Sequence, residues 1–310
     1  MSEGKVLIAA PVHPVLTAGL EKAGYELLCK EQINQQQGME LICDCVGVIT
    51  STRLQVDREM IDRAPGLKFI GRMGSGMEVI DVPYAEAKGI RCISSPEGNR
   101  NAVAEHTLGM LLNLTKNISR SFEEVKNGKW LREENRGTEL EGKTIGIIGY
   151  GHTGSAFARL LRGFDLKVLV YDKYKEISGE PFIQVCSTLA ELQEQCDILS
   201  LHVPHQPDTV HMIDRQFIEG MKKSFILLNT SRGSVIDSGV LESAMHSGKL
   251  KGLAIDVWEE EPLEKMSQHF LQILNNLIKC DKVLITPHIG GYTDEALFKM
   301  SDTLLERVIQ

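Results

Sequence analysis

Three short segments in the last third of the chain carry residue types that together could do chemistry. They are Asn229-Thr230-Ser231-Arg232-Gly233, Asp256-Val257-Trp258-Glu259-Glu260-Glu261-Pro262 and Thr286-Pro287-His288-Ile289-Gly290-Gly291. Histidine titrates near neutrality, so His288 can take a proton from a hydroxyl or return one to a carbonyl. A carboxylate on the second ring nitrogen fixes the tautomer and stabilises the imidazolium, and Glu261 is the candidate for that post. Glu261 is one of three consecutive glutamates, and its place before Pro262 singles it out. The Arg232 guanidinium can hold a substrate carboxylate through paired bonds and polarise the neighbouring carbonyl or hydroxyl. An acid/base beside a carboxylate clamp suits oxidation of a hydroxy acid or reduction of an oxo acid, given a hydride carrier.

The carrier has its own signature. Gly149-Tyr150-Gly151-His152-Thr153-Gly154 follows the apolar run Thr144–Ile148 and opens a helical run, and Asp172 ends the next strand-like run 18 residues beyond Gly154. That context is what a dinucleotide fingerprint requires. Gly149 permits the turn, Gly151 lets backbone approach the pyrophosphate, and Gly154 lets helix and strand pack closely. His152 and Thr153 lie in the first helical turn, whose N–H groups suit phosphate oxygens. Asp172 can accept from both ribose hydroxyls and would repel a 2′-phosphate, so the expected cofactor is NAD rather than NADP. Lys173 and Lys175 partly offset that repulsion. His202, between the run Asp197–Leu201 and Val203-Pro204, is placed to line the cofactor cleft without doing chemistry.

These residues need strand ends to hold them, and the chain supplies two alternating series. Val6–Ala10, Val46–Thr50, Lys68–Gly71 and Ile90–Ile93 read as buried strands, with amphipathic stretches Pro14–Ala23, Asp57–Ala64 and Val82–Lys88 between them. A long helical pattern runs from Asn101 towards Lys126 and forms the crossing point. Six further strands are predicted at Thr144–Ile148, Lys167–Asp172, Asp197–Leu201, Phe225–Asn229, Leu253–Val257 and Lys282–Thr286. Thr293–Gln310 reads as one helix packing back on the first series. The expected fold class is α/β with two doubly wound parallel sheets, a dinucleotide-binding Rossmann domain at 99–289 and a flavodoxin-like substrate domain at 1–98 plus 290–310.

Composition bounds the alternatives. At 310 residues two domains are expected. A net charge of −8, from 34 basic and 42 acidic residues, with no Lys/Arg run, argues against a nucleic-acid binder. No apolar stretch reaches the 18 residues of a membrane span, and the first ten residues lack a signal peptide's features. Seven cysteines without CxxC spacing fit reduced thiols in a cytoplasmic protein and suggest no metal site. His13, His106, His205 and His211 lack any comparable context and read as structural or surface residues.

The three catalytic segments resemble the signature blocks of the D-isomer-specific 2-hydroxyacid dehydrogenase family, a likeness running from about Val46 to the C-terminal helix. The resemblance implies a catalytic trio of Arg232, Glu261 and His288, and puts Asp256 near the nicotinamide carboxamide. Formate dehydrogenases of this family carry Gln where Glu261 stands, so that branch is disfavoured. Gly71-Arg72-Met73-Gly74-Ser75-Gly76 follows a strand and can form a concave anion site from backbone N–H groups. It is similar to the family's substrate-carboxylate loop, with Asn99 in a second block.

Within the family the chain looks most like the phosphoglycerate dehydrogenases, on that loop together with Asn127-Gly128-Lys129-Trp130 and Gly137-Thr138-Glu139-Leu140. A phosphate at the far end of the substrate would need cations, for which Arg53, Arg72 and Arg100 are candidates. Many phosphoglycerate dehydrogenases carry C-terminal regulatory domains; with the sequence stopping at Gln310, no serine-type feedback site is expected. The resemblance implies a small anionic hydroxy- or oxo-acid substrate and a homodimer built around Asn101–Lys126. Alternatives are a hydroxypyruvate or glyoxylate reductase and, in another class, an NAD-sensing corepressor-like binding protein.

Overall fold

The computed structural model describes residues 3–178 and 180–310. The chain divides into two compact units, one running up to Arg100 and taking in Tyr292–Gln310, the other Asn101–Gly291. Each boundary falls two residues beyond the one read from the sequence.

In the first unit, strands β1 (Gly4–Ile8), β2 (Tyr25–Cys29), β3 (Cys45–Thr50), β4 (Phe69–Arg72) and β5 (Arg91–Ser94) alternate with helices α1 (Pro14–Lys22), α2 (Gln35–Leu41), α3 (Arg58–Asp62) and α4 (Val82–Ala87). The sheet is parallel in the order β2-β1-β3-β4-β5, the flavodoxin-like order. Successive residues of β1 serve opposite faces: Leu7 packs with Val48 and Ile70, whereas Val6 and Ile8 pack with Ile49 and Phe69. That two-faced burial is why these strands read as unbroken apolar runs.

The second unit opens with α5 (Arg100–Lys116) and α6 (Ile118–Lys126), two helices where the sequence suggested one pattern. The break is Asn117, in the left-handed region at φ 55° and 4% exposed. There follow β6 (Thr144–Ile148), α7 (His152–Leu160), β7 (Lys167–Tyr171), β8 (Ile183–Val185), α8 (Leu189–Gln195), β9 (Ile198–Leu201), α9 (Arg215–Gly220), β10 (Phe225–Asn229), α10 (Leu241–His246), β11 (Leu250–Ile255), α11 (Gln268–Leu277) and β12 (Val283–Ile285). Among the described residues this sheet has seven strands, not the six expected, in the order β12-β11-β10-β9-β6-β7-β8. Strand order reverses between β6 and β9, so the turns that follow them flank a crevice, the Rossmann arrangement for nucleotide binding.

The helix α12 (Asp294–Ile309) completes the first unit. Thr293 caps it, its Oγ1 accepting from the Ala296 amide at 3.1 Å. It lies so close on α1 that a Cβ added at Gly19 would meet Leu305 at 2.2 Å. Ser301, fully buried, accepts from the His13 amide at 2.9 Å. Among the described residues no helix is long and apolar enough to cross a membrane.

Candidate active site

The nucleotide corner is built mainly by what its residues lack. Leaving β6, the chain turns at Gly149 with φ +91°, where the Gly149 amide donates to the Tyr171 carbonyl at 2.8 Å. A Cβ at Gly149 would meet the His202 carbonyl oxygen at 2.5 Å, and one at Gly154 would meet the Gly149 oxygen at 2.0 Å. Only bare backbone fits there. At Gly151 a Cβ would meet nothing within 4 Å, so this glycine leaves room for a ligand rather than for a neighbour. Gly151 is the N-cap of α7 and supplies no side-chain cap, so the first-turn amides of His152, Thr153 and Gly154 are the natural donors to phosphate. This cradle fits a dinucleotide.

Asp172 follows β7, and three backbone amides hold its carboxylate: Tyr150 at 2.7 Å, Tyr174 at 3.0 Å and Lys175 at 2.9 Å. A carboxylate offers about four acceptor sites, so capacity remains for a ribose hydroxyl. His202 packs beneath the glycine turn, its ring 5.4 Å from Phe157 and its Nε2 2.9 Å from Ser200 Oγ. Burial pushes its pKa down to about 3, so it stays neutral.

The catalytic corner is built by buried polar side chains. Fully buried Asn229, the last residue of β10, accepts from the Ser231 amide at 3.0 Å and the Ser231 hydroxyl at 2.8 Å. Its amide group donates to the Arg232 carbonyl at 2.9 Å, which fixes the turn that presents Arg232. Arg232 in turn donates to the Ser231 carbonyl at 2.7 Å. After β11, Glu261 accepts from the Trp258 amide at 2.7 Å through Oε1, while Oε2 lies 2.7 Å from His288 Nδ1. The two side chains are 35% and 47% exposed. The hydrogen bond that His288 donates to the Glu261 carboxylate raises the His288 pKa above its ordinary value; burial opposes it, the charges of Glu261 and Asp256 add to it, and Arg232 pulls the other way.

His288 itself sits at φ 55°, a left-handed conformation that a non-glycine residue keeps only when its surroundings enforce it. Asp256 does the enforcing. It is 2% exposed, and its carbonyl accepts from the His288 amide at 2.8 Å. Its carboxylate accepts from Thr286 Oγ1 at 2.5 Å, the Ile289 amide at 2.9 Å and the Gly290 amide at 2.7 Å. Burial drives the Asp256 pKa up, but hydrogen bonds from His106, Thr286, Ile289 and Gly290 outweigh it and hold the carboxyl below its usual range. The resemblance places Asp256 near the nicotinamide carboxamide; its oxygens also hold the His288 loop.

Two residues of α5 also reach these loops and were missed in the sequence. His106 Nε2 lies 3.0 Å from Thr286 Oγ1 and 3.4 Å from Asp256 Oδ1. Thr107, fully buried, shares a 2.8 Å hydroxyl contact with Thr230, two residues before Arg232. The structural or surface role expected of His106 takes the structural form, a brace on the loop that carries His288. Only its adjacency to Thr107 on a helix could have hinted at this, since their partners lie more than 120 residues away.

In the first unit, the Gly74–Gly76 turn is stapled by Ser95. The Gly74 amide donates to Ser95 Oγ at 3.2 Å, and the Ser95 amide donates to the Gly74 carbonyl at 3.0 Å. Arg72, expected as one of the candidate phosphate cations, is 8% exposed, and its guanidinium donates to the Met73 carbonyl. Arg53 and Ser75 are exposed, and Gly76, Asn99 and Arg100 are half-buried.

Comparison with known proteins bears on all of this. Residues 108–290 match the family description "D-isomer specific 2-hydroxyacid dehydrogenase, NAD binding domain". The chain is 35% identical over 294 residues to D-3-phosphoglycerate dehydrogenase of Methanocaldococcus jannaschii, covering 94% of this chain and 54% of that protein. It is 32% identical to the human D-3-phosphoglycerate dehydrogenase, with 94% and 53% covered. The chain therefore spans about half the length of these curated relatives. Among solved structures, D-lactate dehydrogenase of Aquifex aeolicus, crystallised with NAD and lactic acid, is 30% identical with a TM-score of 0.84, covering 98% of this chain and 94% of that one. A glycine cradle at the reversal of the sheet and a histidine–glutamate pair at its strand ends thus accompany likeness over nearly the whole chain, and the protein belongs to the D-isomer-specific 2-hydroxyacid dehydrogenase family, whose NAD-binding domain it carries.

Proposed function

We propose that the chain is an NAD-dependent dehydrogenase of a small D-2-hydroxy acid, with 3-phosphoglycerate as the favoured substrate. The observation that carries the reading is the 2.7 Å pair between His288 Nδ1 and Glu261 Oε2, which leaves Nε2 for a substrate hydroxyl. In oxidation His288 Nε2 takes the hydroxyl proton as the C2 hydride departs, and Glu261 stabilises the imidazolium that forms. Arg232 holds the substrate carboxylate and steadies charge on the reacting oxygen. Bound NAD supplies the hydride acceptor. Reduction uses the same groups in reverse, with His288 as the acid. The names of the curated relatives favour the phosphorylated substrate, and Arg53 and Arg100 are its proposed cations; the Gly74–Gly76 turn and Asn99 are assigned to the carboxylate end.

A hydroxypyruvate or glyoxylate reductase is the second reading, favoured by the burial of Arg72, whose guanidinium already donates to the Met73 carbonyl and so has less capacity for a phosphate. The test compares kcat/KM for phosphohydroxypyruvate, hydroxypyruvate and glyoxylate, then repeats it in Arg53→Ala. The phosphoglycerate reading expects at least a 10²-fold preference for the phosphorylated acid, from charge-assisted bonds of about 1.5–3 kcal/mol each. Equal use of the unphosphorylated acids promotes the reductase. NADH binding without turnover of any acid points to the corepressor-like class.

The same proposal includes a homodimer. Ile118, Phe122 and Val125 of α6, spaced four and three residues apart on one face, are 54%, 61% and 51% exposed, and nearby Trp130 is 78% exposed. A second copy of the chain is the proposed cover. Light scattering of wild type against Phe122→Glu tests it: a monomeric wild type removes this part of the reading.

A further inference from the structure

A carboxylate at the end of β7 disfavours a 2′-phosphate, but two lysines follow it at once, and a lysine there is what a phosphate would seek. The structure disposes of both. Lys175 Nζ donates to the Tyr150 carbonyl at 3.1 Å, which returns it to the glycine turn. Lys173 Nζ reaches Asp208 Oδ2 at 2.5 Å, and the Tyr174 hydroxyl donates to the same oxygen at 2.6 Å. Asp208 belongs to the segment after β9, on the other side of the point where strand order reverses, so its contacts reach across the β6 turn and tie the segment after β9 to the one after β7.

From this geometry we infer that Asp208 is a specificity-determining residue for the cofactor: it withdraws Lys173 and Tyr174 from the adenosine end, and so keeps Asp172 the dominant charge there. The inference rests on the reading that Asp172 sets NAD preference and adds a second layer to it. Asp208 is not expected to touch NAD; it acts through Lys173. Hydrogen bonds from Lys173 and then Tyr174 hold its carboxyl below the usual range, so it is ionised wherever the enzyme would work. The pair is partly exposed, with side chains 54% and 32% accessible, so the effect will be modest and sensitive to salt.

The experiment measures dissociation constants of NADH and NADPH by fluorescence titration at low and high salt, without turnover. Wild type, Asp172→Ala, Asp208→Ala, Asp208→Asn and the double variant Asp208→Ala/Lys173→Met are compared, with thermal melts to confirm folding. Asp208→Ala is expected to tighten NADPH by roughly three- to tenfold at low salt, with NADH changed by less than twofold. The gain should shrink at high salt and vanish in the double variant. Asp208→Asn should show a smaller gain, because the amide can still accept from Lys173. If the gain survives in the double variant, or NADPH affinity does not change, the proposed role of Asp208 is overturned. A wild type that binds NADPH as tightly as NADH overturns the Asp172 reading instead.

Discussion

The second unit shapes two corners of one sheet in opposite ways. After β6, the nucleotide turn is made of glycines pressed against backbone, with a neutral buried histidine beneath. After β10, β11 and β12, the catalytic loops are pinned by buried Asn229 and Asp256 and carry a hydrogen-bonded histidine–glutamate pair that is one-third to one-half exposed. A phosphate asks for space and N–H groups, which any added atom would spoil. A proton-transfer group needs a fixed direction and a tuned pKa, which only surrounding polar atoms can supply. The first corner is therefore fragile to addition and the second to deletion.

The largest expected effect tests the second half of that contrast. His288→Ala should lower turnover about 10²–10⁴-fold, or about 3–5 kcal/mol of transition-state stabilisation, with NADH affinity retained. An unchanged rate would remove the mechanism. Gly154→Ala tests the first half: its methyl would meet the Gly149 oxygen at 2.0 Å, so NADH affinity should fall at least tenfold and stability by about 1–3 kcal/mol. Full NADH binding in that variant would show that the turn tolerates addition after all.

Subtler changes separate positioning from chemistry. Thr286→Val takes one donor from the buried Asp256 carboxylate, a change worth about 1–3 kcal/mol, so turnover should fall about tenfold or more while Thr286→Ser keeps most of it. Equal loss in both would mean that side-chain volume, not the hydrogen bond, matters. Glu261→Gln should move the pH profile. Because Glu261 raises the His288 pKa, oxidation, which needs neutral imidazole, rises as pH climbs through that raised value, and reduction falls there. With glutamine both limbs should shift to lower pH; a profile that stays in place would deny Glu261 its role.

Much of this was legible in the sequence because it is local. The glycine spacing, Asp172 at a strand end and the apolar runs of both sheets depend on neighbours a few residues away. The elements that escaped reading were short or lay at sheet edges: β2 and β8 lack a clear pattern, although the Asn34–Gln37 capping box ahead of α2 was a usable signal. The burial of Arg72 was not legible, because nothing local tells a buried guanidinium from a solvated one. The braces from His106 and Thr107 escaped for a different reason. Their partners are set by tertiary packing over long separations, which helical periodicity does not encode.

The return of α12 to the first unit has a consequence for the order of assembly. Residues 101–291 form an uninterrupted stretch that can fold as it leaves the ribosome, whereas the sheet made first must wait for the segment made later. Until Tyr292–Gln310 is synthesised, the α1 surface that takes Leu305 against Gly19 has no cover, and Ser301 has not reached the His13 amide. The nascent chain thus carries an exposed apolar seam through translation of the entire second unit. A synthesis pause anywhere in that stretch lengthens the exposure, which makes translation rate and holding chaperones determinants of the yield of native protein.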